Sequence, residues 1–315
     1  MQFFETPENR APIGGQCRAV TTEDGIQLRL FSVAHADARG TVLLLNGRAD
    51  FLERYFETLR ELQSRGFSVV AFDWRGQGGS QRLRPDRNRG YVRHFRDYEK
   101  DLQAVLKHCE TEQTAQPLYV LAHSTGGLVL LNHLRKPGRF AKAVITAPLI
   151  DVNYKSWPRP VARLLTKFMH FSGMGWAYLP GYAHGPFRRN QFDSNPLTSD
   201  RLRWDRDMTT LEQHPELGVG GPTYSWLKGA LDFIDRINNW PPRKPIACPV
   251  LLLGAGQETV VHARAARQFA QDVAGVSYIE IADAKHEILM EKNVHRRQFW
   301  SAFDSFMSPA DGRKT

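Results

Sequence analysis

The stretch Pro117-Leu-Tyr-Val-Leu-Ala-His-Ser124-Thr-Gly-Gly-Leu-Val-Leu-Leu131 constrains this chain more than any other. An apolar run of strand length leads into a serine flanked by small residues, and a run that can continue as a helix follows it. A side chain held on such a turn needs small neighbours two positions away on either side, because the backbone there is strained and crowded. Ala122 and Gly126 fill those places. The helix beyond the serine offers unpaired N-terminal amides and the positive end of its dipole to a developing oxyanion. The segment therefore predicts a nucleophile at Ser124 and an oxyanion donor in the amide of Thr125.

Similar apolar runs recur at Thr41–Leu45, Phe67–Phe72, Leu118–Ala122, Ala143–Thr146, Val250–Leu253 and Val276–Ile281. They are short, rich in Val, Ile and Leu, and mostly lack polar alternation, which fits strands covered on both faces. Helical patterns at Glu53–Arg65 and Asp97–Glu110 lie between them, and alternating strand and helix predicts a parallel sheet. Ahead of them, Arg18–Thr22 and Ile26–Val33 flank a Glu-Asp-Gly turn, so an antiparallel hairpin opens the sheet.

A serine needs a base and a group that orients the base. In a parallel sheet both belong in loops past the C-terminal ends of strands, the acid before the histidine. Glu258 follows the run at 250–253 and His286 follows the run at 276–281, so order and placement agree. Of the eleven histidines, His94 and His262 have no comparable placement, and His123, next to the serine on the turn, points away from it. Asp151, past the run at 143–146, is the substitute for Glu258 as the acid. The loop after Thr41–Leu45 reads Asn46-Gly47-Arg48-Ala49-Asp50, where glycine allows close backbone approach and the amide of Arg48 pairs with that of Thr125 as an oxyanion hole.

The periodic scheme stops between residues 151 and 240, a region holding five of the seven tryptophans, and then resumes. The expectation is a core of residues 1–150 and 241–315 carrying an inserted cap of 151–240 with apolar surface of its own to bury. Within it Trp157, Phe168, Met169, Phe171, Met174, Trp176 and Tyr178 lie close together; they line an acyl tunnel, touch a bilayer or form the cap's own core. Asn46, Gly47, Trp157 and Trp176 are the candidate substrate contacts.

Lysine and arginine number 42 against 33 acids, a formal charge of +9 that attracts phosphates, anionic lipid or nucleic acid. Arginine is densest over Arg75–Arg96, read as a solvated basic face; its glycines and the Tyr91–Phe95 pair form no RNA-binding signature, so no nucleic-acid partner is expected. Cys17, Cys109 and Cys248 are dispersed, in no metal-type spacing, and read as buried thiols. The first ten residues lack a basic start followed by an apolar stretch, and no run approaches the roughly 18 apolar residues of a spanning helix. A cytoplasmic protein follows, with peripheral contact to an anionic inner membrane face as an option.

Taken together, Leu45-Asn-Gly-Arg-Ala-Asp-Phe-Leu-Glu-Arg-Tyr55, Phe72-Asp-Trp-Arg-Gly-Gln-Gly-Gly-Ser80, Ala122-His-Ser-Thr-Gly-Gly127, Glu258-Thr-Val-Val261 and His286-Glu-Ile-Leu-Met-Glu291 resemble the monoacylglycerol lipase and bacterial lysophospholipase branch of the α/β-hydrolases. Asn46 replaces the histidine usual before the oxyanion glycine, and Glu258 stands where the acid is often aspartate. The resemblance implies an α/β-hydrolase fold with a mostly parallel sheet, helices on both faces and a lid, and acyl transfer to Ser124 without metal or organic cofactor. A lysophospholipase or monoacylglycerol lipase is expected; the alternatives are a carboxylesterase for soluble small-molecule esters and a silent hydrolase-fold binding protein.

Overall fold

The computed structural model describes residues 1–152, 158–182, 184–241 and 244–308. A hairpin of β1 (Gln16–Thr21) and β2 (Gln27–Val33) leads into β3 (Thr41–Leu45), β4 (Ser68–Phe72), β5 (Leu118–His123), β6 (Phe140–Thr146), β7 (Val250–Ala255) and β8 (Val276–Ile281). They form one eight-stranded sheet in the order β1-β2-β4-β3-β5-β6-β7-β8. Pairing is antiparallel from β1 to β4 and parallel from β4 onward.

Successive residues of a strand face opposite sides, so a run that is apolar throughout must be covered twice. On β3, Val42 and Leu44 join a core with α1 (Phe56–Ser64) and the last helix, Asn293–Met307, through Phe56, Leu59, Phe299 and Phe303. Leu43 and Leu45 join the opposite core with α2 (Asp97–Thr111) and α3 (Thr125–His133), through Leu102, Val105 and Leu128. The run at 276–281 departs from the expectation: β8 is an edge strand, its side facing away from β7 is unpaired, and Ile279 stays 42% exposed. A short apolar run reads alike in the middle and at the edge of a sheet.

Between β6 and β7 lie α4 (Arg159–Phe171), α5 (Arg201–Gln213) and α6 (Tyr224–Asn238), with short 3-10 turns. The tryptophans of this region split. Trp204 and Trp226 are buried, Trp176 is exposed, and Trp157 lies outside the described residues. Phe233, Ile234 and Ile237 of α6 belong to the main core, so the last helix of the expected insertion packs with the sheet, against α3. On α4 the arrangement inverts: Leu164, Phe168 and Phe171, one face at helical spacing, are 73%, 66% and 76% exposed. These side chains are not a cap core. No helix among the described residues is long and apolar enough to cross a membrane.

Two further expectations need correction. The basic segment is not uniformly solvated: Arg75 is buried between Asp24 and Asp101, and Arg82 donates to the carbonyls of Glu216, Leu217 and Gly218. Both tie loops together. Cys109 and Cys248 are buried free thiols, whereas Cys17 on the outer strand β1 is only half-buried.

Candidate active site

Ser124 stands between β5 and α3 with φ 49° and ψ −110°, a conformation that non-glycine residues rarely adopt. The turn holds because its surroundings leave no alternative. Its amide donates to the Thr146 carbonyl on β6, and its carbonyl accepts from the amides of Leu128 and Leu149. A Cβ on Gly126 would lie 2.6 Å from the carbonyl oxygens of both Leu45 and Asn46, so only glycine lets α3 begin this close to the end of β3.

From there the hydroxyl reaches a histidine. Ser124 Oγ and His286 Nε2 are 3.1 Å apart, and His286 Nδ1 is 2.7 Å from Glu258 Oε2. With a neutral imidazole, Nδ1–H donates to the carboxylate and Nε2 accepts from the hydroxyl. The other oxygen, Glu258 Oε1, accepts from the amides of Val260 and Val261, which hold the carboxylate in place. Burial alone would lower the His286 pKa, but the Glu258 carboxylate outweighs it and leaves the imidazole raised. Burial would raise Glu258, and its hydrogen bond to His286 leaves it lowered.

Asp151, the substitute acid, is engaged elsewhere: it pairs with Arg159 and accepts from the Val152 amide. His123 does point away from Ser124, donating or accepting at Thr146 Oγ1, 3.0 Å away. Its ring nonetheless lies 5.0 Å from that of His286, tilted by 59°. Burial, then the neighbouring His286, depresses its pKa to about 3, so it is neutral filling behind the base.

The loop after β3 lies over the turn, and a Cβ on Gly47 would come 3.4 Å from Ser124 Cβ. The amides on either side of Arg48 are occupied: Gly47 N donates to Asp50 Oδ2 and Ala49 N to Gln77 Oε1. That of Arg48 has no backbone or side-chain acceptor among the described residues. The amide of Thr125, first in α3, has no helical acceptor by position. Asn46 is fully enclosed and receives the indole N–H of Trp74 on its carbonyl, so it supports the loop from beneath. Trp176 stands apart on the outer surface under the guanidinium of Arg89, 4.7 Å from its ring, beside Phe171 in a groove of about 680 Å³.

Sequence reasoning missed the side chains that lock this loop. Gln77, inside the Asp-x-Arg-Gly-x-Gly-x-Ser block, donates to the Gly47 carbonyl at 2.7 Å as well as accepting from Ala49. Arg54 meets three carboxylates: Asp50 of the loop, Glu287 next to the histidine, and Asp207 on α5 at 2.9 Å. Burial would raise Asp50, but Arg54 facing it leaves it lowered, while burial keeps Glu287 raised. The partners are 153 and 233 residues from Arg54 for Asp207 and Glu287. The one local hint is the Gly47-to-Asp50 spacing, which suits an aspartate accepting its own loop's amide.

A family model described as "Serine aminopeptidase, S33" matches residues 36–293. Lysophospholipase L2 of Escherichia coli is 31% identical over 316 residues, covering 94% of this chain and 89% of that protein. Probable lysophospholipase L2 of Haemophilus influenzae is 28% identical over 86% of this chain and 84% of its own. Among solved structures, a soluble variant of monoglyceride lipase from Saccharomyces cerevisiae superposes with a TM-score of 0.72 at 17% identity, over 97% of this chain and 98% of that one. With the sheet order and the strained turn already described, these likenesses place the chain: it belongs to the serine hydrolases of the α/β-hydrolase fold, in the branch of the lysophospholipases and monoglyceride lipases.

Proposed function

We propose that this protein hydrolyses the acyl ester of a lysophospholipid or monoacylglycerol, with Ser124 as nucleophile, His286 as general base and Glu258 as the acid that orients it. Ser124 Oγ attacks the ester carbonyl as His286 Nε2 takes its proton, and the amides of Arg48 and Thr125 receive the oxyanion. The alcohol leaves with the proton from His286, and water activated by the same imidazole frees the fatty acid from the acyl-enzyme. The observation that carries this reading is the unbroken chain from Ser124 Oγ through His286 to Glu258, at 3.1 and 2.7 Å.

The lipid ester rests on the relatives' names and on α4. We assign residues from 151 to about 213 to a cap and read α4 as its membrane-facing edge, with α6 as the stalk joining it to the core. Leu164, Phe168 and Phe171 would enter the boundary of an anionic bilayer, and the formal charge of +9 favours that surface. Gly47 contacts the acyl group in this scheme, while Trp176 meets lipid outside the catalytic cleft.

Product analysis on lysophospholipids, monoacylglycerols, short p-nitrophenyl esters and an aminoacyl anilide tests the reading. Release of long-chain fatty acid from the lipids, faster than acetate from the acetyl ester, is expected. Preference for the acetyl ester or the anilide would overturn it.

A further inference from the structure

Arg48 carries a side chain that the oxyanion role of its amide does not use. The buried arginines are matched by carboxylates, Arg29 by Glu53 and Asp73, Arg75 by Asp24 and Asp101, Arg296 by Glu57 and Glu61, whereas Arg48 is half-buried. Arg48 has no carboxylate within ion-pair distance among the described residues. Among the described residues its side chain makes one hydrogen bond, from Nη1 to the Gly220 carbonyl at 2.7 Å, and the guanidinium lies over the Trp226 ring at 5.6 Å. Burial pushes its pKa down, yet a guanidinium keeps its charge.

Arg82 makes the contrast useful. Its Nη2 holds three carbonyls of the 216–218 segment, while Nε and Nη1 are sealed from solvent without an acceptor, as befits a tether. The remaining nitrogens of Arg48, Nε and Nη2, have no acceptor among the described residues and are not among the sealed atoms. Room is kept for the head of the side chain: a Cβ on Gly90 would stand 3.2 Å from Nη1. A half-buried cation with two donors open and no carboxylate beside it among the described residues is suited to take an anion from outside.

Its origin says which anion. Arg48 leaves the chain one residue from Gly47, whose position borders Ser124 Cβ. In a glycerophospholipid three glycerol carbons separate the acyl ester from the phosphate, a span comparable to the three methylenes of arginine. We propose that the Arg48 guanidinium binds the phosphate of a lysophospholipid whose ester lies at Ser124, so that this site selects phosphate-bearing headgroups over the bare glycerol of a monoacylglycerol. The selection rests on the hydrolase reading above. A planar fork of donors suits two phosphate oxygens, and the indole face of Trp226 steadies the guanidinium from the other side.

The test compares kcat/KM for lysophosphatidylethanolamine with that for monoacylglycerol of the same acyl chain, both in mixed micelles of one neutral detergent. In Arg48→Met the ratio falls about 10²-fold, the worth of a charge-assisted contact, and Arg48→Lys recovers part of it. A ratio unchanged from wild type in both variants overturns the proposal, whatever happens to the absolute rates. A measurement on the wild-type protein guards against misfolding: glycerol 3-phosphate inhibits p-nitrophenyl butyrate hydrolysis at concentrations where glycerol does not, and equal potency of the two contradicts the site. Should the wild type turn over no ester, the hydrolase reading fails by itself. The anion site is then read separately, as a rise in Tm with glycerol 3-phosphate that Arg48→Met loses; no rise in the wild type overturns it.

Discussion

The floor beneath Ser124 and the outer helix α4 are both built from closely spaced apolar and basic residues, yet they use them in opposite ways. Around the turn, strands β3, β4 and β7 are buried along their whole length, and the charges among them are matched, as Arg54 is by Asp50, Glu287 and Asp207. On α4 the apolar residues face outward. The difference teaches that burial and matched charge surround the hydroxyl, while α4 leaves apolar surface uncovered, which the proposed reading gives to lipid.

The comparison breaks first at the serine. Ser124→Ala should cost about 10⁴-fold or more in turnover, because the proposed nucleophile, base and acid would act as a unit, with the circular dichroism spectrum unchanged. A loss under tenfold would move the chemistry elsewhere. Next is Glu258→Gln, for which a fall of about 10³–10⁴-fold is expected, together with a change in pH profile. An imidazole can act as a base only when neutral, and Glu258 holds the His286 pKa above the ordinary 6.5. The wild-type kcat/KM therefore falls as pH drops through a value above 6.5. Without that carboxylate the main opposition to burial is gone, Glu287 and Asp50 raising the pKa less than Glu258 did, so the acid limb moves to lower pH; a shift upward would contradict the assignment.

Arg54 sharpens the comparison through stability. Removing it leaves three carboxylates together in a buried place, and Arg54→Met should destabilise by about 3–5 kcal/mol in urea melts. The exposed face gives the smallest effect on the fold. Phe168→Ser with Phe171→Ser should change stability by no more than about 0.5 kcal/mol per site. Flotation with anionic vesicles should nonetheless fall in this variant, and wild-type flotation should weaken with added salt, since ions screen the attraction. A strongly destabilised double variant would mean that α4 packs where the structure leaves it bare.

Much of this was legible along the chain, for reasons that differ by region. The sheet could be read because strands covered twice must be apolar throughout, and the meeting of Ser124, Glu258 and His286 because each lies just past the C-terminal end of a strand, though for His286 that strand is the edge strand β8. Edge and centre were not distinguishable for residues 276–281, since pairing is a property of neighbours. The helix at 159–171 displays an apolar face, but periodicity does not say whether that face meets protein or solvent. The Arg54 cluster and the Gln77 clamp were hidden more deeply, as their partners come from loops and from α5, brought together only in the finished fold.

Labelling with a fluorophosphonate, followed by peptide mapping of the adduct across pH, tests the central claim most directly. The account predicts one adduct, on Ser124, forming at a rate that falls as His286 becomes protonated and that collapses in His286→Ala. An adduct on another residue, or labelling of Ser124 at full rate without the imidazole, would contradict it.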